Sequence, residues 1–401
     1  MTEMTSGRDE LKSSPGIIAV EGRYTSGVYS KRQLAIVRGE GARLWDADGK
    51  EYIDCVGGQG SANIGHANPL VAEAIAQQAR TLISCPEMFY NDQRAQLTEM
   101  LASLTGLNRV FLCNSGTEAI EAALKFARLL TRRTQFVAAM RAFHGRTYGA
   151  LSATWEKKYR APFEPLLSGF SHVPYNDLEA LSAAVNDQTA AVILEVVQGE
   201  GGIHLADSDY LHGAQAVCRE NGALLIIDEI QTGFGRTGRM FAYQRYGLEP
   251  DIVCLAKSIA GGLPMGAALL HDRWEPIPPA VHGSTFGGNP LVCAAAVAAI
   301  RFLIDHDLPQ RAEQLGMLFR EQLRNIRSPL VREVRGLGLM NGIELRQKVA
   351  PYIAELMKAG VLVFPAGLTV IRFLPPLVIT PEQIIKVTSA VQQVLNSEVA
   401  Q

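Results

Sequence analysis

The sequence predicts an α/β protein: a large domain with a mostly parallel sheet flanked by helices, and a smaller α+β domain built from both chain ends. From about residue 70, helix-like stretches alternate with short apolar runs, a pattern typical of βαβ units. From about residue 305, a helical stretch is followed by extended runs. A chain of 401 residues also exceeds one small core. We therefore assign 67–304 to the large domain, and the N-terminal segment 1–66 and 305–401 to the smaller one.

Local periodicity places the individual elements. Residues 34–55 alternate apolar and polar positions around an Asp48-Gly49 turn, which predicts an antiparallel hairpin. The predicted helices cover 70–82, 92–104, 117–130, 177–186 and 207–221. The predicted strands cover 109–113, 135–140, 191–196, 223–228 and 252–256. Ligands of such sheets bind beyond the carboxyl ends of the strands, so functional motifs should follow strands directly.

Composition excludes several classes of function. The chain is 47% hydrophobic and 19% charged, as in ordinary globular proteins, and its net charge of −2 provides no overall basic field for nucleic acid or a membrane surface. It lacks an apolar run of the ~18 residues that a membrane helix needs. The polar N-terminus has no signal-like apolar centre, which predicts a cytoplasmic protein. Six scattered cysteines without a CxxC pair indicate neither disulfides nor a metal site.

The segment Asn114-Ser115-Gly116-Thr117-Glu118 directly follows the predicted strand 109–113 and precedes a helix. A helix N-terminus offers free N–H groups to an anion, and glycine permits close approach of a ligand. Ser115 and Thr117 could add hydroxyl donors. An ordinary helix cap explains the same residues.

Asp228 and Lys257 end two further apolar runs. A carboxylate at Asp228 could pair with the ring nitrogen of a pyridine cofactor, although a helix cap or a magnesium ligand is also compatible with it. Lys257 closes the run DIVCLAK, where burial would lower its pKa and make it a nucleophile toward a carbonyl. A surface lysine at a strand end is the alternative. Ser284-Thr285-Phe286-Gly287-Gly288 forms a second phosphate-type turn, or a plain helix start.

Together these segments resemble the signatures of class III aminotransferases of the acetylornithine/ornithine type. The resemblance extends from about residue 30 to 395 and rests on NSGTEA, FHGRT, QGEGG, DEIQTGFGRTG, AKSIAGG, STFGGNP, VREVRGLGLM and IRFLPPLVI. It implies the fold type I architecture, pyridoxal 5′-phosphate as cofactor, and a homodimer with active sites at the subunit interface.

The resemblance also implies roles for individual residues. Lys257 should form the Schiff base with the cofactor and move the substrate proton, while Asp228 should bind the pyridine nitrogen. Further cofactor contacts are expected from Gln231 to the ring hydroxyl, from Phe143 by stacking on the ring, from Ser115, Gly116 and Thr117 to the phosphate, and from Thr285 to the neighbouring subunit's phosphate.

Substrate contacts follow from the same resemblance. Arg146 should bind a substrate carboxylate, and Ser284 should lie near the substrate. Arg372 should grip the α-carboxylate of glutamate, and Glu200 should mask that arginine while an ω-amino substrate is bound. A plain salt bridge between Arg372 and Glu200 is the alternative.

Several stretches are similar to transaminases of lysine and arginine biosynthesis that act on an amino-group carrier protein: YIDCVGGQGSANIGH, LNRVF, FVAAMRAFHGRT, TWEKKYRAPFEPL and PYNDLEAL. The expected reaction moves the amino group of glutamate to carrier-bound aminoadipate semialdehyde or glutamate semialdehyde, giving carrier-bound lysine or ornithine and 2-oxoglutarate. Gln59 departs from this pattern, in which tyrosine is frequent. N-acetylornithine is the alternative substrate, and a fold type I aminomutase is the alternative class. An acidic carrier would need a basic rim, for which Lys157, Lys158 and Arg160 are candidates.

Overall fold

The protein is described by a computed structural model covering residues 11–397; residues 1–10, where the polar N-terminus begins, and 398–401 lie outside it. The helices are α1 (Ser14–Tyr24), α2 (Gly57–Gly60), α3 (Pro69–Thr81), α4 (Asp92–Thr105), α5 (Gly116–Thr131), α6 (Tyr148–Ala153), α7 (Lys157–Arg160), α8 (Leu178–Ala184), α9 (Ser208–Asn221), α10 (Pro290–Asp305), α11 (Leu308–Arg324), α12 (Ala350–Lys358) and α13 (Pro381–Asn396). The strands are β1 (Ile36–Glu40), β2 (Arg43–Asp46), β3 (Glu51–Asp54), β4 (Arg109–Cys113), β5 (Gln135–Ala139), β6 (Phe170–Val173), β7 (Thr189–Leu194), β8 (Val197–Gln198), β9 (His204–Leu205), β10 (Leu224–Asp228), β11 (Ile252–Leu255), β12 (Gly266–Leu270), β13 (Val331–Leu337), β14 (Met340–Leu345), β15 (Val361–Leu362), β16 (Phe364–Ala366) and β17 (Val370–Phe373).

A seven-stranded sheet forms the centre of the large domain, in the order β4-β12-β11-β10-β7-β5-β6. Its paired strands run parallel except for β12, which is antiparallel to both neighbours. Every residue of β7, β10 and β11 is buried, as expected for strands covered by helices on both faces. The carboxyl ends of β4, β7, β10 and β11 therefore lie at one edge of the sheet.

Two four-stranded sheets lie outside the central one. In the first, of order β1-β2-β3-β15, the N-terminal strand β3 pairs in parallel with β15 near the C-terminus. The second has the order β13-β14-β17-β16. The α/β class with a smaller α+β part from both chain ends is thus as predicted, while the domain limits at 67 and 305 stay a prediction.

Three local predictions needed correction. Residues 34–55 form three antiparallel strands instead of one hairpin, because the chain turns a second time at Gly41, where φ is +56°. The strands β6 and β12 were not predicted. The sequence of β12, Gly-Ala-Ala-Leu-Leu, lacks β-branched residues and carries no strand signal of its own. Among the described residues, no helix is long and apolar enough to cross a membrane.

Candidate active site

A cavity of about 400 Å³ opens at the carboxyl edge of the central sheet. Its lining comes largely from the residues that follow β4, β7, β10 and β11. Nine of the residues singled out from the sequence line it: Ser115, Gly116, Thr117, Phe143, Arg146, Glu200, Asp228, Gln231 and Lys257. Residues from distant parts of the chain therefore meet in one small-molecule-sized site.

Asp228 is the last residue of β10 and is only 4% exposed. Its Oδ2 accepts a 2.7 Å hydrogen bond from Nδ1 of His144, and its Oδ1 accepts one from the backbone N–H of Ile230. His144 is 2% exposed and also lines the cavity. The two partners fix the carboxylate in one orientation at the base of the site.

Lys257 begins a single 3-10 turn after β11 and has φ of +48°, a left-handed conformation uncommon for a residue with a side chain. Such backbone is enriched at functional sites, where the surroundings hold it in place. Burial lowers the pKa of the Lys257 amine, although the carboxylates of Glu200 and Asp228 act in the opposite direction. A lowered pKa increases the fraction of neutral, nucleophilic amine.

The N-terminus of α5 forms one wall of the cavity. The Ser115 hydroxyl caps the helix by accepting from the N–H of Glu118, so the cap alternative holds for this side chain. A Cβ on Gly116 would lie 2.9 Å from the side chain of Ile230, which requires glycine here. The Thr117 hydroxyl lies 2.7 Å from that of Thr147 and accepts from the Thr147 N–H. The first N–H groups of the helix are thus available to an anion beside a fixed hydroxyl.

Phe143 and Arg146 occupy the loop between β5 and α6. Phe143 is held by its N–H, which donates to Oε1 of Glu195. Arg146 is exposed, and its guanidinium stacks over the ring of Tyr159 at 3.7 Å. Phe143 therefore places a flat apolar ring inside the cavity, and Arg146 places a cation at its border.

Arg372, on β17, is 3% exposed and donates to Glu200 at 2.5 Å and to the Gln231 side-chain oxygen at 3.1 Å. Burial raises the pKa of Glu200, but Arg372 and Lys257 together hold it below its ordinary value. Among residues 11–397, the Arg372 Nε has no hydrogen-bond partner. The guanidinium therefore has one N–H that neither Glu200 nor Gln231 uses.

Ser284 and Thr285 are not part of the cavity lining. The Ser284 hydroxyl accepts from the Asn114 side chain and from the N–H of Gly287, so its visible role is to shape the turn. Thr285 is exposed on the surface of the subunit, next to Phe286, which is 64% exposed. Neither side chain lines the cavity of this chain, although Ser284 contacts Asn114, which does.

Two ionisable cavity residues were missed by the reasoning from sequence, His144 and Glu195. Glu195 follows β7 directly, so the rule that identified Asp228 at a strand end also applied to it. It is 6% exposed, and burial raises its pKa to about 7. His144 lies inside the FHGRT motif, but no pattern in the sequence indicated that it would contact Asp228.

The donor set fits pyridoxal 5′-phosphate. The cofactor carries a phosphate, a protonatable ring nitrogen and an aldehyde. The cavity presents a helix N-terminus with a glycine that tolerates no side chain, a buried carboxylate, and an amine of lowered pKa. Bound there, the cofactor supplies an electron sink for the bonds at the substrate's amine-bearing carbon.

Comparison with known proteins points to the same cofactor. The family model Aminotransferase class-III matches residues 25–395. The LysW-aminoadipate semialdehyde transaminase of Deinococcus radiodurans is 50% identical, over 95% of this chain and 90% of the relative. The acetylornithine aminotransferase of Methanothermobacter thermautotrophicus is 46% identical, over 92% and 96%. An ornithine aminotransferase structure from Toxoplasma gondii, with PLP at partial occupancy in its active site, superposes with a TM-score of 0.94 at 36% identity, covering 98% and 97%.

Proposed function

The chain belongs to the class-III aminotransferases and is a pyridoxal-phosphate-dependent transaminase, and from this premise we propose that it transfers the amino group of L-glutamate to a carrier-protein-bound aminoadipate semialdehyde or glutamate semialdehyde. The products are carrier-bound lysine or ornithine and 2-oxoglutarate. The observation that carries the glutamate half of the proposal is the ion pair between the buried Arg372 and the half-buried Glu200 beside Lys257.

Each residue of the site has a proposed task. Lys257 binds the cofactor through its Nζ and moves the proton at the reacting carbon. Asp228, oriented by His144, binds the ring nitrogen and keeps it protonated. Further contacts are assigned to the phosphate (Ser115, Gly116, Thr117), to the ring face (Phe143) and to the ring hydroxyl (Gln231).

The Arg372–Glu200 pair supports two modes of substrate binding at one site. Arg372 grips the α-carboxylate of glutamate bidentately once Glu200 has moved away. With Glu200 in place, the charge of Arg372 is neutralised and a substrate can instead present its terminal amine to the cofactor held by Lys257. An aminomutase, which returns the amine to the same molecule, has no need of such an exchange.

A cluster of basic and aromatic side chains borders the cavity and supports an acidic carrier as partner. Arg146 lines the cavity and stacks on Tyr159, and Lys158 Nζ lies 4.8 Å from the same ring. Lys157 and Lys158 are exposed on α7. Lys157 and Lys158 can therefore contact the negative charge of a carrier as its attached substrate enters the cavity. We assign to Arg146 the contact with the substrate's own carboxylate.

The substrate proposal is tested by comparing carrier-bound lysine with free N-acetylornithine at low and high salt. We expect carrier-bound lysine to be preferred. The double variant Lys157→Gln/Lys158→Gln should raise its KM about tenfold at low salt, and less at high salt, because surface charge is screened. The matched control is Lys348→Gln/Lys386→Gln, which removes two exposed charges elsewhere. Preference for N-acetylornithine without a salt effect would overturn the carrier proposal.

N-acetylornithine is the second candidate, favoured by the 46% identity to the acetylornithine aminotransferase. Gln59 bears on the choice between the two substrates, because tyrosine is frequent at this position in the carrier-linked enzymes. Its side chain is exposed, and its backbone has φ of +59° in the turn α2. Transfer of the amino group of N-acetylornithine to 2-oxoglutarate, with no turnover of the carrier-bound compound, would establish this reading instead.

We further propose a homodimer in which Thr285 reaches the neighbouring subunit's phosphate and the Ser284 turn lies near its substrate. Arg94 ties this turn to the loop before α4 by donating to the carbonyls of Gly288 and Phe89. The tied segments expose four large apolar side chains: Met88, Phe89, Tyr90 and Phe286. Phe286→Asp should give monomers with weakened cofactor binding in light scattering and titration, whereas Leu368→Asp, at another exposed apolar residue, should stay dimeric.

A further inference from the structure

The loop that carries Glu200 is held in an unfavourable conformation. It spans residues 199–203 and joins β8 to β9. Ile203, at its end, is fully buried and has φ of +58°. A β-branched side chain rarely adopts this conformation, and it persists only where surrounding contacts impose it.

Two contacts with the sheet β13-β14-β17-β16 hold Ile203 in this conformation. The Ile203 side chain packs on Gly342, where a Cβ would lie 3.1 Å from Ile203 Cγ1. Gly342 pairs directly with Arg372 in the sheet, so this packing places the loop over the strand that bears the arginine. In addition, Nε of Arg335 donates a 2.8 Å hydrogen bond to the carbonyl of Gly202.

Arg335 is itself firmly fixed. Its side chain is 10% exposed and lies within 2.6 Å of both Glu333 and Glu344. Glu344 is on β14, the strand between β13 and β17. One guanidinium therefore connects the loop of Glu200 to the sheet of Arg372.

We propose that Arg335 is a positioning residue that holds Glu200 against Arg372 and thereby sets the balance between the two half-reactions. The inference rests on the proposed function, because it requires Glu200 to leave Arg372 for glutamate and to return for the amine. The Arg335–Gly202 hydrogen bond belongs to the closed loop, so it stabilises the state in which Arg372 is masked. Removing it shifts the population toward the open state, in which Arg372 is free to bind glutamate.

The test is Arg335→Gln, with the kcat/KM of each half-reaction measured separately. The amine substrate is carrier-bound lysine or N-acetylornithine, whichever the wild-type enzyme turns over. We expect the ratio of kcat/KM for glutamate to that for the amine to rise about fivefold, as for the net contribution of one ordinary hydrogen bond. A general loss of structure would lower both values together and leave the ratio unchanged.

Arg332→Gln is the matched control. Arg332 lies on the same strand and pairs with the same Glu344, but it is 65% exposed and the hydrogen bonds of its side chain do not include the loop. Its ratio should equal that of the wild type. If Arg335→Gln does not fold, Glu344→Gln, which loosens Arg335, should shift the ratio in the same direction.

The outcomes separate the two proposals. A wild-type enzyme that releases no 2-oxoglutarate from glutamate would overturn the proposed function. A wild-type enzyme active in both half-reactions, with an unchanged ratio in Arg335→Gln or in its substitute Glu344→Gln, would overturn only the role of Arg335.

Discussion

His144 donates a 2.7 Å hydrogen bond to Asp228, and both side chains are buried at the base of the cavity. The contact joins the loop after β5 to the end of β10, 84 positions apart in sequence. A carboxylate buried without a partner would be costly, and the histidine supplies that partner at the base of the cavity.

Replacing His144 should therefore impair the cofactor more than the fold. We expect His144→Asn to weaken cofactor binding and to lower kcat at least about tenfold, because Asp228 loses its orienting donor. Cofactor titration and steady-state kinetics measure this. His172→Asn is the control, since His172 contacts the Ala153 carbonyl and not the cavity. Equal kcat in the two variants would contradict the assigned role.

Gly116→Ala should reduce cofactor affinity about tenfold. The added methyl lies 2.9 Å from Ile230 and forces the N-terminus of α5, which is proposed to hold the phosphate, away from that side chain. Titration of the apoenzyme with pyridoxal phosphate reports the effect. Gly22→Ala, on the exposed helix α1, places its methyl in open space and should leave affinity unchanged. Unaltered affinity in Gly116→Ala would show that this turn does not hold the phosphate.

Arg372→Lys should separate the two half-reactions. A lysine retains the charge but loses the two-pronged grip on a carboxylate. We expect kcat/KM for glutamate to fall at least about tenfold, while the amine half-reaction changes little. Single-turnover measurements with each substrate distinguish them. An equal loss in both would favour the alternative of a plain salt bridge.

Stability should depend on pH through Glu229. Burial raises the pKa of this fully buried carboxyl from 4.5 to about 7. Folding therefore takes up a proton between these values, and the free energy of unfolding falls as the pH rises through this window, by up to roughly 3 kcal/mol. Thermal unfolding of Glu229→Gln should show a shallower decline in Tm from pH 4.5 to 8 than the wild type. Parallel curves would be inconsistent with a raised pKa.

The sequence predicted the regular part of the fold well and the site in part. Strands such as β10 and β11 are predictable from sequence because both of their faces are buried, which makes them continuous runs rich in Val, Ile and Leu. The strand β12 is built from small residues, and Gly266 is required because a Cβ would lie 2.3 Å from the Ser115 carbonyl. That constraint comes from tertiary packing, which no local pattern contains.

The same distinction applies within the site. Residues at the end of a strand or just beyond it, such as Asp228 and Lys257, follow from topology. The contacts of His144 with Asp228 and of Arg335 with Gly202 join segments whose distance in space cannot be read from spacing along the chain. Glu195 follows β7 directly, so the same rule also predicts a site residue at this position.

The central claim is that Lys257 and the Arg372–Glu200 pair make this cavity a glutamate-using transaminase site. Incubation of the cofactor-loaded enzyme with L-glutamate alone tests it most directly. We expect release of about one 2-oxoglutarate per subunit from the wild type and none from Lys257→Ala. Absence of 2-oxoglutarate from the wild type, or its undiminished release by Lys257→Ala, would show that the cavity is not such a site.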